Sequence, residues 1–215
     1  MDVLSETIEQ QNLDWIQAIF KVVWEPQTYL NILYLLVSFP LGVVYFVFLV
    51  TGFALGIGLA IIWIGLPILI LMILAVYGLT GFERILAIHM LGQEIDSLRD
   101  VLPQESAWQW LKGVLTTPAT WKGMGFLLLK FPFGLFSFVA AVTVLAISVA
   151  LLFAPLLVMT GGVVDFGFWV GDTISEAALC SLLGVILHLL ALHFLNALAW
   201  IWGALARILL GKSIT

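Results

Sequence analysis

Two long stretches without any charged side chain limit the fold of this chain more than any other feature. The first runs from Gln27 to Phe82 and the second from Phe131 to Val164. A transmembrane helix needs about 20 apolar residues, so the first stretch is long enough for two spans. Only 10% of all residues are charged, against about 25% in soluble domains. We therefore predict an all-α integral membrane protein and not an enzyme.

The basic residues predict the number and orientation of the spans. All eight Lys and Arg residues fall in an N-terminal, a central or a C-terminal segment. Bases near span ends stay on the cytoplasmic side. Four spans put every base on that side, which predicts a plasma-membrane protein with both termini in the cytoplasm. The expected spans cover residues 39–64, 67–88, 132–155 and 176–202.

The chain contains an internal repeat with an offset of 92 residues, from Pro26 to Pro118. The predicted organisation is a cytoplasmic amphipathic segment (1–25), a first two-span repeat (26–92), a cytoplasmic linker with an interfacial helix (93–117) and a second two-span repeat (118–215). Two spans per unit give both repeats the same orientation, as in parallel repeats of transporters. We expect the repeated prolines, Pro40 and Pro132, in the first turn of their helices, where a missing N–H costs nothing. A first span that starts near Tyr29 and kinks at Pro40 is the alternative.

Small residues recur every four positions in the first and third spans. Such spacing lets helices approach closely in lipid, so we expect these two spans to cross there. The alternative is that small residues are simply common in such helices. The predicted packing residues are Gly52, Gly56, Ala60, Ala146, Ala150 and Ala154.

A tryptophan-rich amphipathic stretch precedes each repeat, at residues 13–24 and 108–115. Trp and Lys at the headgroup level are typical of helices lying in the membrane interface. We expect two interfacial helices that anchor the spans to the lipid bilayer. A docking face for a partner protein is the alternative.

The repeated element resembles the prokaryotic putative sensor domain, a membrane domain often fused to histidine kinases. The resemblance covers roughly residues 24–212, and its most specific motif is Phe-Pro-x-Gly, which occurs twice. The six motif residues are Phe39, Pro40, Gly42, Phe131, Pro132 and Gly134. The resemblance implies a module that senses a signal and relays it to a cytoplasmic output. Because no kinase domain follows within the sequence, we expect the output to be a separate protein.

Polar residues inside the fourth span are candidates for sensing. His188, His193 and Asn196 lie there, and an ionisable residue within the bilayer suggests a functional site. The two histidines are about 140° apart around a helix, which does not predict a metal or haem site. Structural packing remains the alternative. We also expect Glu83 to pair with Arg207; the alternative is that each of these residues faces lipid headgroups.

The outer connection is the other candidate site. Asp165, Trp169 and Asp172 lie there, where an external ligand would make contact. An interfacial aromatic cap is the alternative. The chain has no legible catalytic, metal or cofactor motif.

Three functions remain open from the sequence. The first is a sensory or regulatory module, the second an accessory subunit of a larger membrane complex, and the third a transporter or pore. The expected partners are lipid and another membrane or signalling protein. Nucleic acid is not expected, because no basic binding surface is visible. A homodimer is left open.

Overall fold

The computed structural model describes residues 20–95, 106–165 and 170–211. Among these described residues, four helices are long and apolar enough to cross a membrane. We number the elements α1 (Pro26–Leu59), a 3₁₀ turn (Ala60–Ile62), α2 (Gly65–Leu91), α3 (Ala107–Thr116), α4 (Pro118–Leu152), α5 (Ala154–Met159), β1 (Val164–Asp165), β2 (Val170–Gly171) and α6 (Ile174–Leu210). The two strands pair antiparallel, Val164 opposite Gly171. The predicted all-α fold with four spans is confirmed.

The spanning helices α1 and α4 are longer than predicted, because they continue through their prolines. Pro40 and Pro132 lie inside α1 and α4, and the prediction that they begin these helices is wrong. A proline within a helix removes one backbone hydrogen bond, which a long apolar helix tolerates when its neighbours pack around the break. The alternative of a helix that continues through Pro40 therefore describes α1 correctly.

The same geometry joins each of these long helices to the residues before it. The Tyr29 hydroxyl donates to the Val23 carbonyl at 2.8 Å. The Trp121 indole donates to the Leu115 carbonyl at 3.2 Å. In both bonds the acceptor lies six residues before the donor. The two donors are 92 residues apart, and so are the two acceptors. Tyr29 and Trp121 occupy equivalent positions of the two repeats, and they hold the starts of α1 and α4 against the helical segments that precede them.

The helix α3 matches the second predicted amphipathic stretch. Val114 is buried on one side, whereas Trp108 and Lys112 are exposed. The Trp110 ring meets the Tyr77 ring of α2 edge to face, with centroids 5.7 Å apart. In the first stretch, residues 20–24 are helical and residues 13–19 lie outside the described residues.

The chain divides into two compact units, and α1, α4 and α6 each contribute to both. One unit comprises residues 30–139 and 198–215. Within it, α1 and α4 approach at their repeated glycines. A Cβ on Gly42 would lie 2.6 Å from the Lys130 carbonyl oxygen, and a Cβ on Gly134 would lie 2.7 Å from the Ser38 carbonyl oxygen. Only glycine permits such backbone contact.

The aromatic contacts around this crossing also occur in pairs. Phe39 packs on Phe138 and Phe46 packs on Phe131, with ring centroids 5.3 and 4.8 Å apart. The 92-residue offset relates Phe39 to Phe131 and Phe46 to Phe138, so exchanging the two repeats turns one pair into the other. The crossing therefore uses the motif residues of both repeats in equivalent ways.

The predicted small-residue packing between the first and third spans is wrong. Gly52 and Gly56 lie against Met72 and Leu69 of α2. Ala146 and Ala150 are exposed. Glycines permit the closest backbone approach, and those of the Phe-Pro-x-Gly motif form the α1–α4 contact instead.

Two further residues of the predicted small-residue set lie near the ends of their helices. Ala60 is half-buried in the 3₁₀ turn that follows α1. Ala154 is buried in a cluster with Leu151, Ala177 and Cys180.

The second unit comprises residues 1–29 and 140–197. Gly184 of α6 lies against the backbone of Leu151 and Leu152 in α4. The Ser181 hydroxyl donates to the Leu152 carbonyl at 3.0 Å. Helix packing in this unit therefore also depends on a glycine and on a bond from a small polar side chain to backbone.

Candidate functional site

A carboxylate and an ammonium meet inside the unit that contains the glycine crossing. Lys130 Nζ of α4 donates to Glu83 Oε2 of α2, and both side chains have zero exposed surface. The Tyr45 hydroxyl of α1 donates to the other carboxylate oxygen at 2.7 Å. Glu83 lies about 12 Å along the helix from the end of α2. Three spans thus supply one buried polar site.

Aromatic side chains surround the ammonium. Lys130 Nζ donates to the Tyr34 hydroxyl at 3.3 Å and lies 4.6 Å from the centroid of that ring. The rings of Trp202 and Phe126 are 5.8 and 5.9 Å from Nζ. A cation among aromatic faces gains energy from their quadrupoles, most of all where water is absent. We call Tyr34, Tyr45, Glu83, Lys130 and Trp202 the ion-pair site.

Within this unit, the C-terminal part of α6 is held at two points. Trp202 covers Lys130 and donates its indole N–H to the Ser137 hydroxyl at 2.8 Å. Arg84, the residue after Glu83, donates from Nη2 and Nε to the carbonyl of Leu210, at 2.7 and 3.2 Å. Arg84 thereby caps the last turn of α6, whose terminal carbonyls lack helical partners.

The charges of the ion-pair site are held by a closed set of protein contacts. Both charges are saturated by protein groups, and among the described residues no buried side-chain nitrogen or oxygen lacks a partner. Losing one partner would leave a charge buried alone, which costs several kilocalories per mole. A small displacement of α2, α4 or α6 would therefore have a large effect on the free energy of this site.

A family model described as "Putative sensor" matches residues 34–210. The chain belongs to the Putative sensor family. This confirms the resemblance given by the Phe-Pro-x-Gly motifs, and it identifies a membrane sensor domain. All five residues of the ion-pair site lie within the matched range. Comparison with curated proteins and with solved structures gives no match.

The intramembrane polar residues predicted for this sensor domain lie in the other unit. The His188 ring Nδ1 is 3.0 Å from the Ser148 hydroxyl oxygen. Asn196 donates to the Thr28 hydroxyl at 3.0 Å. Both contacts join α6 to another helix, as expected of polar side chains that bridge helices in lipid. His193 is exposed, so the structure does not bring the two histidines into one buried cluster.

The residues predicted to contact an external ligand are not gathered into a cluster in the described part of the chain. Asp165 and Asp172 are exposed, and Trp169 lies outside the described residues. Glu176 accepts bonds from the Thr173 hydroxyl at 2.9 Å and from the backbone N–H of Asp172 at 3.2 Å, which caps the start of α6. The described residues hold no group of three or more His, Cys, Asp or Glu placed to bind a metal ion.

The predicted pairing of Glu83 with Arg207 is wrong. Glu83 pairs with Lys130, and Arg207 is exposed. Sequence reasoning missed Lys130 because it assigned this residue to the segment before the third span. The repeat offset held a usable signal, since it aligns Lys130 with Ser38, a position inside the uncharged stretch from Gln27 to Phe82.

Proposed function

We propose that this chain is a non-enzymatic membrane module that senses a signal and relays it to a separate cytoplasmic partner. The observation that supports the proposal is the fully buried Glu83–Lys130 pair, which contacts α6 through Trp202. Ionisable residues within the membrane are costly and mark functional sites by default. Apolar residues of similar volume often stabilise a protein as well as a buried ion pair does, so a switching role explains the pair better than stability alone.

The relay runs from the ion-pair site to the end of α6. Glu83 and Arg84 are neighbours on α2, and Arg84 binds the Leu210 carbonyl. A shift of α2 that strains the Glu83–Lys130 contact therefore also displaces the cap on α6. A signal shifts such an equilibrium only if it interacts differently with the two arrangements. The end of α6 is the element that a cytoplasmic partner would detect.

We propose a plasma-membrane location with both termini in the cytoplasm. Basic residues occur near the start of α1, the end of α2, the start of α4 and the end of α6. The connection between α4 and α6 carries Asp165 and Asp172 and no base. Retention of bases on the cytoplasmic side favours this orientation.

Cross-linking in the native membrane tests the relay. The chain would be expressed as wild type, as Lys130→Met and as Glu94→Gln, and cross-linked proteins would be identified by mass spectrometry. Glu94 is an exposed carboxylate beyond the end of α2, so its variant controls for charge change without touching the site. We expect a soluble signalling protein whose recovery changes several-fold in Lys130→Met and not in Glu94→Gln.

A different outcome would favour an accessory subunit. If one integral membrane complex is recovered in fixed stoichiometry, equally with all three forms of the chain, the sensory proposal is wrong. The abundance of each variant in the membrane, measured by immunoblot, separates a lost relay from a lost protein.

A further inference from the structure

A groove between α1 and α2 reaches the ion-pair site from the lipid side. Its volume is about 370 Å³. Val44, Phe48 and Gly78 on its walls are exposed, whereas Tyr45 is buried at its base. The lining consists of Val44, Tyr45, Phe48, Ala75, Gly78 and Leu79.

The depth of the groove determines what can occupy it. Gly78 is the central residue of α2 (Gly65–Leu91), about 20 Å along the helix from either end. At this depth a bilayer contains hydrocarbon chains and no headgroups. The only polar side-chain atom of the lining is the Tyr45 hydroxyl, which already binds Glu83. An ion or a polar ligand would find no partner, so a hydrocarbon chain is the occupant that fits.

Gly78 keeps the groove open. A Cβ on this residue would meet no atom within 4 Å, so a larger side chain there would extend into free space. By contrast, Gly52 and Gly56 on α1 are filled by Met72 and Leu69 of α2. The space beside Gly52 and Gly56 is therefore occupied, whereas the space beside Gly78 is open to the groove.

We propose that this groove binds the hydrocarbon chain of a membrane lipid, and that the bound chain holds Tyr45 against Glu83. An empty groove has room for the Tyr45 ring to turn outward, which would remove the hydroxyl from the carboxylate. Chain and outward ring compete for the same space, so the chain binds only the arrangement with Tyr45 turned inward. This difference in affinity is what a ligand needs to shift a two-state equilibrium.

The inference rests on the proposed function for its consequence, because it identifies the packing of lipid chains as the signal that the sensor domain detects. Binding of the chain and the position of Tyr45 are measurable without any output. The experiments below therefore fail or succeed independently of the relay to a partner.

Photo-cross-linking tests the binding step. The full chain would be reconstituted in phosphatidylcholine vesicles containing a phosphatidylcholine with a mid-chain diazirine. We expect labelling concentrated at residues 44–48 and 75–79, reduced several-fold in Gly78→Leu. Gly58→Leu is the matched control, because a Cβ on Gly58 also meets nothing within 4 Å and Gly58 does not line the groove. Uniform labelling of all lipid-facing surfaces, or labelling of these residues in Gly78→Leu as strong as in the wild type, would overturn the proposal.

Fluorine NMR tests the coupling to Tyr45. The chain contains four tyrosines, so 3-fluorotyrosine gives four signals that Tyr→Phe variants assign. We expect the Tyr45 signal to differ between vesicles of straight-chain and branched-chain phosphatidylcholine in the wild type and in Gly58→Leu. In Gly78→Leu the leucine side chain fills the groove, so the signal should be the same in both lipids.

The coupling between the bound chain and Tyr45 would be contradicted if the Tyr45 signal were the same in both lipids in the wild type, or differed between them in Gly78→Leu. Ala75→Leu fills the groove from one turn away and replaces Gly78→Leu if that variant does not fold. If the Tyr45 signal changes with the lipid while recovery of the cross-linked partner is the same in wild type and Lys130→Met, lipid binding in the groove is supported and the proposed relay is wrong.

Discussion

Replacing Lys130 with methionine would leave the Glu83 carboxylate buried without its ammonium. Both side chains have zero exposed surface, so water cannot replace the lost partner. Removing one member of a buried ion pair costs about 3–5 kcal/mol. We expect Lys130→Met to lower the free energy of unfolding by this amount.

Replacing Glu83 with glutamine should lower the free energy of unfolding by less than Lys130→Met does. In Glu83→Gln the ammonium keeps the Tyr34 hydroxyl at 3.3 Å and three aromatic rings within 6 Å. A desolvated cation–π contact is worth about 2 kcal/mol, and the amide oxygen remains as an acceptor. We expect a loss of about 1–3 kcal/mol, smaller than that of Lys130→Met.

The double variant Glu83→Gln/Lys130→Met removes both charges at once. Because neither charge is left alone, its cost should lie below the sum of the single costs by about 2 kcal/mol or more. Reversible unfolding in dodecyl sulfate mixed micelles, followed by tryptophan fluorescence, gives the four free energies of the cycle. Additive costs, or a loss below about 1 kcal/mol for Lys130→Met, would show that the pair is not coupled as its geometry implies.

Gly42→Ala should destabilise the chain by about 1–3 kcal/mol in the same assay, because its Cβ would overlap the Lys130 carbonyl. Gly125→Ala, which meets nothing within 4 Å, should be neutral or slightly stabilising. Tyr45→Phe should cost about 1.5–3 kcal/mol, since it removes a hydrogen bond to a charged group; an unchanged free energy would contradict that bond. Arg84→Gln should raise the mobility of a nitroxide label attached at Gly211, measured by electron paramagnetic resonance, whereas an unaltered spectrum would show that Arg84 does not hold the end of α6.

The sequence was sufficient to predict the fold class and the number of spans. The stretch from Gln27 to Phe82 is long and uncharged, which predicts membrane spans. Backbone groups in lipid must be paired within the segment, so these spans are predicted to be helices. The helix ends were harder to predict. Pro40 and Pro132 suggested helix starts, yet tertiary packing around the motif glycines allows α1 and α4 to continue through them.

The candidate site was not predictable from the same reasoning. Sequence reasoning places a charged residue near the end of an apolar stretch at the membrane surface, because Lys and Glu usually extend towards water. Only the packing of α1, α2, α4 and α6 brings Glu83, Lys130 and Tyr45 together. These contacts join residues far apart in sequence, whereas helical periodicity reports only on neighbours within one helix.

The ion-pair site depends on one position at which the two repeats carry different residues. Ser38 and Lys130 occupy matching positions at the α1–α4 crossing, and each presents its backbone carbonyl to the glycine of the other helix. The Ser38 hydroxyl is satisfied locally, by the Tyr34 carbonyl at 2.7 Å. A buried ammonium needs an opposite charge, and α4 contains no acidic residue, so Lys130 pairs with Glu83 of α2. Equivalent backbone contacts therefore form the α1–α4 crossing. Lys130 differs from its equivalent residue Ser38, and its bond to Glu83 connects the crossing to α2 and, through Arg84, to the end of α6.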